Sequence, residues 1–324
     1  MGSIASASEP LALWYRQPAT EWVEALPVGN GRVGAMVFGG TASERIQFNE
    51  HTLWMGEPRD YSHPGASNHL GAIRQLLFDG KQKEAEQLAM QEFMGVPLRQ
   101  MPFQPFADLR LQFPSHTNVI GYRRELNLDE AVARTSYRIG AVRFERETFA
   151  SAPDQVLVTH LGADVKGQVS FEVAFDCPHW STVSSGKNEL ILTGKLPDAH
   201  NNQAIKNPLR FEARLVVRAD GGKVVSRDGR IKVTGANTAT LILSAATSYK
   251  NFQDVSGDPA RTNDRTLAAV KNKSWTHLRA VHVADHQELF RRVSLDLGVS
   301  PKSVYPTDER LRRASQAEIG RAHV

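Results

Sequence analysis

The chain has 324 residues, of which 41% are hydrophobic and 23% charged, with 24 Gly and 16 Pro. That makeup excludes disordered, collagen-like and coiled-coil classes. The formal net charge is only +4 and the densest basic cluster is Arg310, Arg312 and Arg313, too short for a nucleic-acid patch.

The first residues, through Ala19, lack the basic start and the apolar run of ~7–15 residues of a secretory signal, and no stretch approaches the ~18 apolar residues of a membrane span. The compartment is unassigned, cytoplasmic by default. Arg32 to Gly40 and Arg45 to Leu53 alternate in hydropathy around a turn at Thr41 to Glu44, which predicts two strands. From Asn68 to Phe93 the period changes to three or four: Leu70, Ile73, Leu76 and Leu77, then Ala85, Leu88, Ala89 and Phe93, with Gly80 between, predict a helical pair. Gly95 to Pro114 carries Pro97, Pro102, Pro105 and Pro114 and reads as an ordered, extended loop.

Between Tyr122 and Ala245 the pattern is short β runs divided by turns. They are Tyr122–Leu128, Ala131–Ile139, Val142–Ala150, Gln155–Leu161, Val169–Phe175, Glu189–Thr193, Leu209–Val217, Lys223–Ser226, Arg230–Thr234 and Thr240–Ala245. Gly140, Gly222, Gly229 and Gly235 mark their hairpins. Such spacing indicates an antiparallel sandwich or barrel. Gly194 to Asn207 is polar and reads as a long loop. Cys177, the one cysteine, excludes an internal disulfide and a cysteine zinc cage and reads as a buried free thiol. Farther on, Asn263 or Asp264 can cap a helix through Lys271, and Trp275, Leu278, Val281, Leu289 and Phe290 continue at helical spacing. Val293, Leu295 and Leu297 alternate as a strand, and Pro306-Thr307-Asp308 opens a last helix that ends almost at once.

The sharpest local motif, Gly29-Asn30-Gly31-Arg32-Val33-Gly34, spells the dinucleotide fingerprint G-x-G-x-x-G. A phosphate loop must follow a hydrophobic strand and open a helix. Here Pro27 precedes it and Ala35 to Gly40 reads as β, so a glycine-rich turn feeding a strand is the better account. His51, His63 and His69 share a region without H-x-x-x-H spacing and read as loop histidines; no metal or cofactor is expected. Asp285 beside His286 lies on a helix, where adjacent residues diverge, and no G-x-S-x-G elbow accompanies it. Glu50, Glu57, Asp60 and Asp108 are carboxylates of the loop-rich first third; sequence spacing does not show whether two of them flank a glycosidic bond. Trp14, Tyr15, Trp22, Trp54, Tyr61, Phe103 and Phe106 crowd the same third, which suits sugar faces or a sandwich core alike.

A longer series carries a resemblance. Leu26 to Gly40 (LPVGNGRVGAMVFGG), Glu44 to Trp54 (ERIQFNEHTLW), Gln104 to Leu109, Arg146 to Gln155, Asp285 to Val293 and Pro306 to Leu311 together resemble the N-terminal domain of glycoside hydrolase family 95, the α-L-fucosidases. Phe103 stands where that family usually has Tyr, and Phe106-Ala107 where it has Leu-Gly.

The resemblance implies a mainly β fold, a large antiparallel β-sandwich over residues 11–260 with the helical pair inserted. A helical linker over residues 261–317 would lead to an (α/α)6 barrel absent from this chain, and residues 318–324 read as a non-native tail. It implies the non-catalytic front part of an inverting α-L-fucosidase acting on terminal fucosyl groups of glycans, with the barrel of the same polypeptide as partner and no nucleic acid or membrane. The catalytic acids lie on that barrel, so no residue here is assigned as catalytic and the piece alone is expected to be inactive. The alternative is a stand-alone carbohydrate-binding sandwich. Asn49, Glu50 and Trp54, with Asn30 and Arg32, are the candidates for shaping the substrate pocket or the barrel interface; hydrogen bonding inside the sandwich is the competing account.

Overall fold

The computed structural model describes residues 11–200, 203–295 and 304–316. Its larger sheet has nine antiparallel strands, in the order β1 (Ala12–Tyr15), β6 (Ile120–Asn127), β7 (Val132–Ile139), β8 (Val142–Ser151), β9 (Val156–Ala163), β18 (Thr238–Thr247), β15 (Arg210–Asp220), β12 (Glu189–Lys195) and β11 (Ser181–Gly186). The smaller has seven, in the order β16 (Lys223–Arg227), β17 (Arg230–Ala236), β10 (Val169–Asp176), β5 (Ala107–Gln112), β4 (Ser43–Glu50), β3 (Val33–Val37) and β2 (Leu26–Gly29). A short hairpin, β13 (Ala199–His200) and β14 (Gln203–Ala204), interrupts the segment read as a long loop. Every strand predicted between Tyr122 and Ala245 is present, and the mainly β expectation is borne out.

The two sheets face each other because each strand turns its apolar row the same way. Val33, Ile46, Phe48, Leu109 and Val173 of the smaller sheet join Leu157, Leu192, Phe211, Leu215 and Leu243 of the larger in one buried cluster. In β4 the alternation is strict, with Glu44, Ile46, Phe48 and Glu50 buried and the residues between them partly exposed or exposed. The inward row of that strand therefore begins and ends in an acid, each partnered inside.

The far face of the larger sheet is covered by helices. Val132, Phe149, Val156, Val158 and Ile242 form a second buried cluster with Val270 of α3 (Pro259–Val270) and Leu278 of α4 (Trp275–Phe290). This double covering explains why β18 is buried almost throughout, where a strand with one wet face would alternate. The other helices are α1 (Ala66–Phe78), α2 (Gln82–Glu92) and α5 (Thr307–Gln316). The first two are the predicted pair, divided at Gly80, whose φ of 72° is left-handed. Among the described residues no helix is long and apolar enough to cross a membrane.

Several expectations are corrected. The proline-rich stretch holds β5, a central strand: the prolines flank it, while residues 107–112 keep every N–H for pairing on both sides. Asp258, not Asn263 or Asp264, caps α3, its Oδ1 accepting from the N–H groups of Ala260 (3.0 Å) and Arg261 (3.2 Å). Pro259 takes the first helical position, where its missing N–H costs nothing. Asn263 sits buried within that helix, taking a hydrogen bond from the Ser244 hydroxyl (2.7 Å) and giving one to the Glu212 carbonyl (3.0 Å). Val293 and Leu295 are exposed and unpaired in any sheet, and Leu297 lies outside the described residues, as do residues 318–324. The last helix extends through ten residues and docks on β1, where Thr307 Oγ1 accepts from the Trp14 N–H at 3.0 Å. Cys177 is free but half-buried.

Two imidazoles, His116 buried and His160 partly buried, set a pH dependence. His116 stacks on Phe113 (ring centroids 5.0 Å) with Nδ1 2.6 Å from the Tyr137 hydroxyl, and burial, then the Arg146 charge, lowers its pKa to about 4. His160, stacked on Trp275 at 4.3 Å, is lowered to about 4 by burial. Both are neutral when folded at neutral pH but take up protons near 6.5 when unfolded. Their stability is therefore complete above about pH 6.5 and lost as pH falls toward about 4. Urea unfolding is expected to show a loss of ~2 kcal/mol from His116 alone between about pH 7 and about pH 5; a flat profile over that window contradicts the assignment.

Candidate functional site

A cleft of about 510 Å³ opens where the segment after β4 (residues 51–61) meets residues 100–101 and a turn at residues 249–255. The first segment is fixed from behind. Leu53 is fully buried and its carbonyl accepts from the Gln104 N–H at 2.9 Å, while the Met55 N–H donates to the Pro102 carbonyl at 3.2 Å. Trp54 lies between those anchors, its indole Nε1 donating to the His51 carbonyl (3.0 Å) and its ring against Phe103 at 5.3 Å. It is 44% exposed and lines the cleft. Tyr249 and Phe252, 42% and 76% exposed, stand on the 249–255 turn. That turn closes on itself: the N–H groups of Lys250 and Asn251 both donate to the Asp254 carbonyl, and Asp254 Oδ1 accepts from the Ser256 N–H. Hydrogen bonds from the Ser256 side chain and N–H, then from Lys250, lower the Asp254 pKa to about 2.

Glu50 sits behind the cleft. Its carboxylate accepts from the Thr52 N–H (2.9 Å) and hydroxyl (2.5 Å) with one oxygen and faces His51 Nδ1 at 3.0 Å with the other. A ring nitrogen facing a carboxylate carries its proton, so in the neutral ring of His51, which lines the cleft and has a half-exposed side chain, Nε2 is the acceptor.

The remaining candidates are built into the frame. Asn30 Oδ1 accepts from the N–H groups of Arg32 (3.0 Å) and Val33 (2.8 Å), and its Nδ2 donates to the Ser151 carbonyl (2.9 Å). Gly31, at φ 85°, makes the tight corner between β2 and β3, so the glycine motif is a hairpin turn with no helix after it. The Arg32 guanidinium donates to Gln155 Oε1 (2.8 Å), the Gln155 carbonyl (3.0 Å) and the Ala245 carbonyl (2.6 Å), reaching from the smaller sheet to the larger. Burial lowers its pKa and the Glu50 charge opposes that. Asn49 Oδ1 accepts from the Phe106 N–H at 2.6 Å, holding the end of β4 to the run before β5. Among the site candidates, then, Trp54 lines the cleft, Glu50 bonds to Thr52 and faces His51, and Asn30, Arg32 and Asn49 bond inside the sandwich.

Sequence reasoning set His51 aside as a loop histidine and passed over Tyr249, Asn251 and Phe252. The last three lie nearly two hundred residues from Trp54, and no local periodicity links such positions. The other motifs disperse. Asp108 pairs with Arg45 (2.8 Å) and Arg110 (2.7 Å), His69 lies 3.7 Å from Glu92, and His286 meets the Leu128 carbonyl at 2.9 Å, docking α4. Glu57 is the carboxylate among the cleft-lining residues. Among the described residues no three His, Cys, Asp or Glu side chains gather into a metal-binding group.

Comparison with known proteins adds the following. The family described as "Glycosyl hydrolase family 65, N-terminal domain" matches residues 13–252. "Alpha-L-fucosidase 2" of Arabidopsis thaliana is 36% identical over 318 residues, covering 90% of this chain and 37% of that protein. "Probable alpha-fucosidase A" of Aspergillus niger is 28% identical, with 94% and 40% covered. The protein of the same name from Aspergillus oryzae is 21% identical, with 92% and 42% covered. The chain thus spans about two fifths of the length of the curated relatives it matches. The resemblance read from residues 26–54 and beyond is borne out by this similarity to α-fucosidases, although the matching family description carries the number 65.

Proposed function

We propose, from the premise that the chain belongs to the glycosyl hydrolase family 65 N-terminal domain family, that it is the non-catalytic front portion of an inverting α-L-fucosidase. Residues 11–260 form the sandwich and residues 261–317 the helical connector toward an (α/α)6 barrel. The carrying observation is the 36% identity, over 90% of this chain, to a protein named as an α-L-fucosidase of which the chain spans 37%.

The chemistry of inversion supports this division. One carboxylic acid protonates the leaving oxygen while a second carboxylate, ~6.5–9.5 Å away, activates water on the opposite face of the sugar. Glu57 is the carboxylate lining the cleft, and Glu50 is buried and bonded to Thr52 and His51. Among the described residues the cleft lining offers one carboxylate, Glu57, which supports placing the reactive acids elsewhere in the full polypeptide.

The test is release of fucose from 2′-fucosyllactose. A longer polypeptide continuing past residue 324 is expected to liberate fucose, with the β anomer appearing first by proton NMR. Residues 1–324 alone are expected to give no turnover. Fucose release by the short chain, or first appearance of the α anomer from the long one, contradicts the proposal.

A further inference from the structure

The cleft contains recognition chemistry that hydrolysis elsewhere does not require. Trp54 and Phe252 expose much of their rings to water, yet Trp54 is held rigidly by Phe103 and by the bond from Nε1 to the His51 carbonyl. Exposed rings gathered in a concave site of a few hundred Å³ mark a binding surface rather than scattered surface apolarity.

The polar groups among the rings are directional. In the neutral ring His51 Nε2 is an acceptor, because Glu50, 3% exposed and 3.0 Å from Nδ1, holds the ring proton there. Asn251 Oδ1 is occupied by the Gln253 N–H at 2.9 Å, which leaves its amide nitrogen as a donor. Glu57 and Arg59 contribute opposite charges to the lining. Flat aromatic faces, one fixed acceptor, one donor and little net charge suit an uncharged polyol whose C–H face stacks while its hydroxyls bond at the edges.

We propose that this cleft binds the leaving-group sugars of the fucosylated glycan, hexoses such as β-galactosyl and glucosyl units whose axial C–H bonds form one apolar face. Trp54 is the stacking platform, His51 accepts a sugar hydroxyl, and Glu50 is a positioning residue that orients His51. The choice of glycan rests on the fucosidase reading; the existence of the site rests on the geometry. The cleft takes the leaving group rather than the fucosyl unit because the fucosyl unit must lie between two carboxylates and Glu57 is the one lining this cleft.

The experiment uses the 324-residue chain, titrated with lactose, 2′-fucosyllactose and free L-fucose and followed by nitrogen-15 NMR of the indole and imidazole signals. Lactose and 2′-fucosyllactose are expected to shift the Trp54 and His51 signals with affinities within about threefold of each other, and fucose to shift neither. Trp54→Ala and His51→Ala are each expected to weaken lactose binding about tenfold while the amide spectrum keeps the dispersion of the folded parent. Trp180→Ala, at an exposed ring outside the cleft, is expected to bind as the parent does. The imidazole spectrum of His51 above neutral pH is expected to show the Nδ1–H tautomer, and Glu50→Leu to abolish that preference. Absence of lactose binding, binding indifferent to Trp54→Ala, binding of fucose in the cleft, or an Nε2–H tautomer each overturns the proposal. A long polypeptide that releases no fucose while the chain still binds lactose refutes the fucosidase reading and leaves the cleft standing.

Discussion

Arg32→Met is expected to lower the unfolding free energy by roughly 3 kcal/mol while leaving lactose binding in the cleft unchanged. The guanidinium gives three hydrogen bonds, to the side chain and carbonyl of Gln155 and to the carbonyl of Ala245, from a corner stabilised by Asn30. Bonds from a charged donor contribute more than neutral ones, and their removal leaves two backbone acceptors short of partners at the sheet junction. Met retains the length of the stem, so the loss reports the polar head rather than packing. Urea unfolding of the variant measures the first part and the sugar titration the second. Unchanged stability with reduced affinity or reduced kcat/KM in the long polypeptide places Arg32 in substrate recognition instead.

Glu44→Leu is expected to be more damaging, by ~3–5 kcal/mol, because it leaves Arg146 buried without its counter-charge. Arg146 and Glu44 are 5% and 2% exposed and 3.2 Å apart. Glu44 also accepts from the N–H groups of Gly39 (2.8 Å) and Arg45 (3.0 Å). Burial raises the Glu44 pKa, and Arg146 is the largest opposing influence. Two guanidinium nitrogens of Arg146 have no hydrogen-bond partner, and the group instead lies over the faces of Phe113 (4.9 Å) and Tyr137 (5.7 Å). A double change, Glu44→Leu with Arg146→Met, is expected to recover more than half of the loss, since a desolvated pair gains little over apolar residues of similar volume. A double-mutant cycle in chemical denaturation checks this; a single-variant loss below ~0.5 kcal/mol contradicts it.

Much of the sandwich was legible because its strands obey a period of two and its hairpins carry glycine at left-handed positions such as Gly140 and Gly229, whereas Gly222, also left-handed, turns the chain from one sheet to the other and Gly235 lies within β17 beside a register shift. β5 was hidden by neighbours: a window that averages over Pro102, Pro105 and Pro114 reads as loop, although the strand itself contains none. β1 and β2 are four residues long, too short to display a period, and Pro27 in β2 is tolerated because that strand is at the sheet edge. β11 is also an edge strand and carries mostly serine, threonine and glycine, so its apolar signal is absent. In the cleft, Trp54 was legible as one aromatic among many, and Glu50 as one carboxylate among several. What made Trp54 particular was tertiary, because the wall opposite it comes from residues 249–255, whereas the partner of Glu50 is its chain neighbour His51, a local pair that carries no periodic signal.

The acids that open and close the inward row of β4 also act as alignment pins. A slip of one residue against β3 or β5 turns both of them toward solvent, strands Arg146 at one end and frees the His51 ring at the other. An apolar row alone tolerates displacement by two residues at modest loss, whereas this one fits its neighbours in a single offset. Assembly of the smaller sheet and the aim of the imidazole are thereby coupled through one strand, so a mispaired molecule is also one that has lost its hydroxyl acceptor.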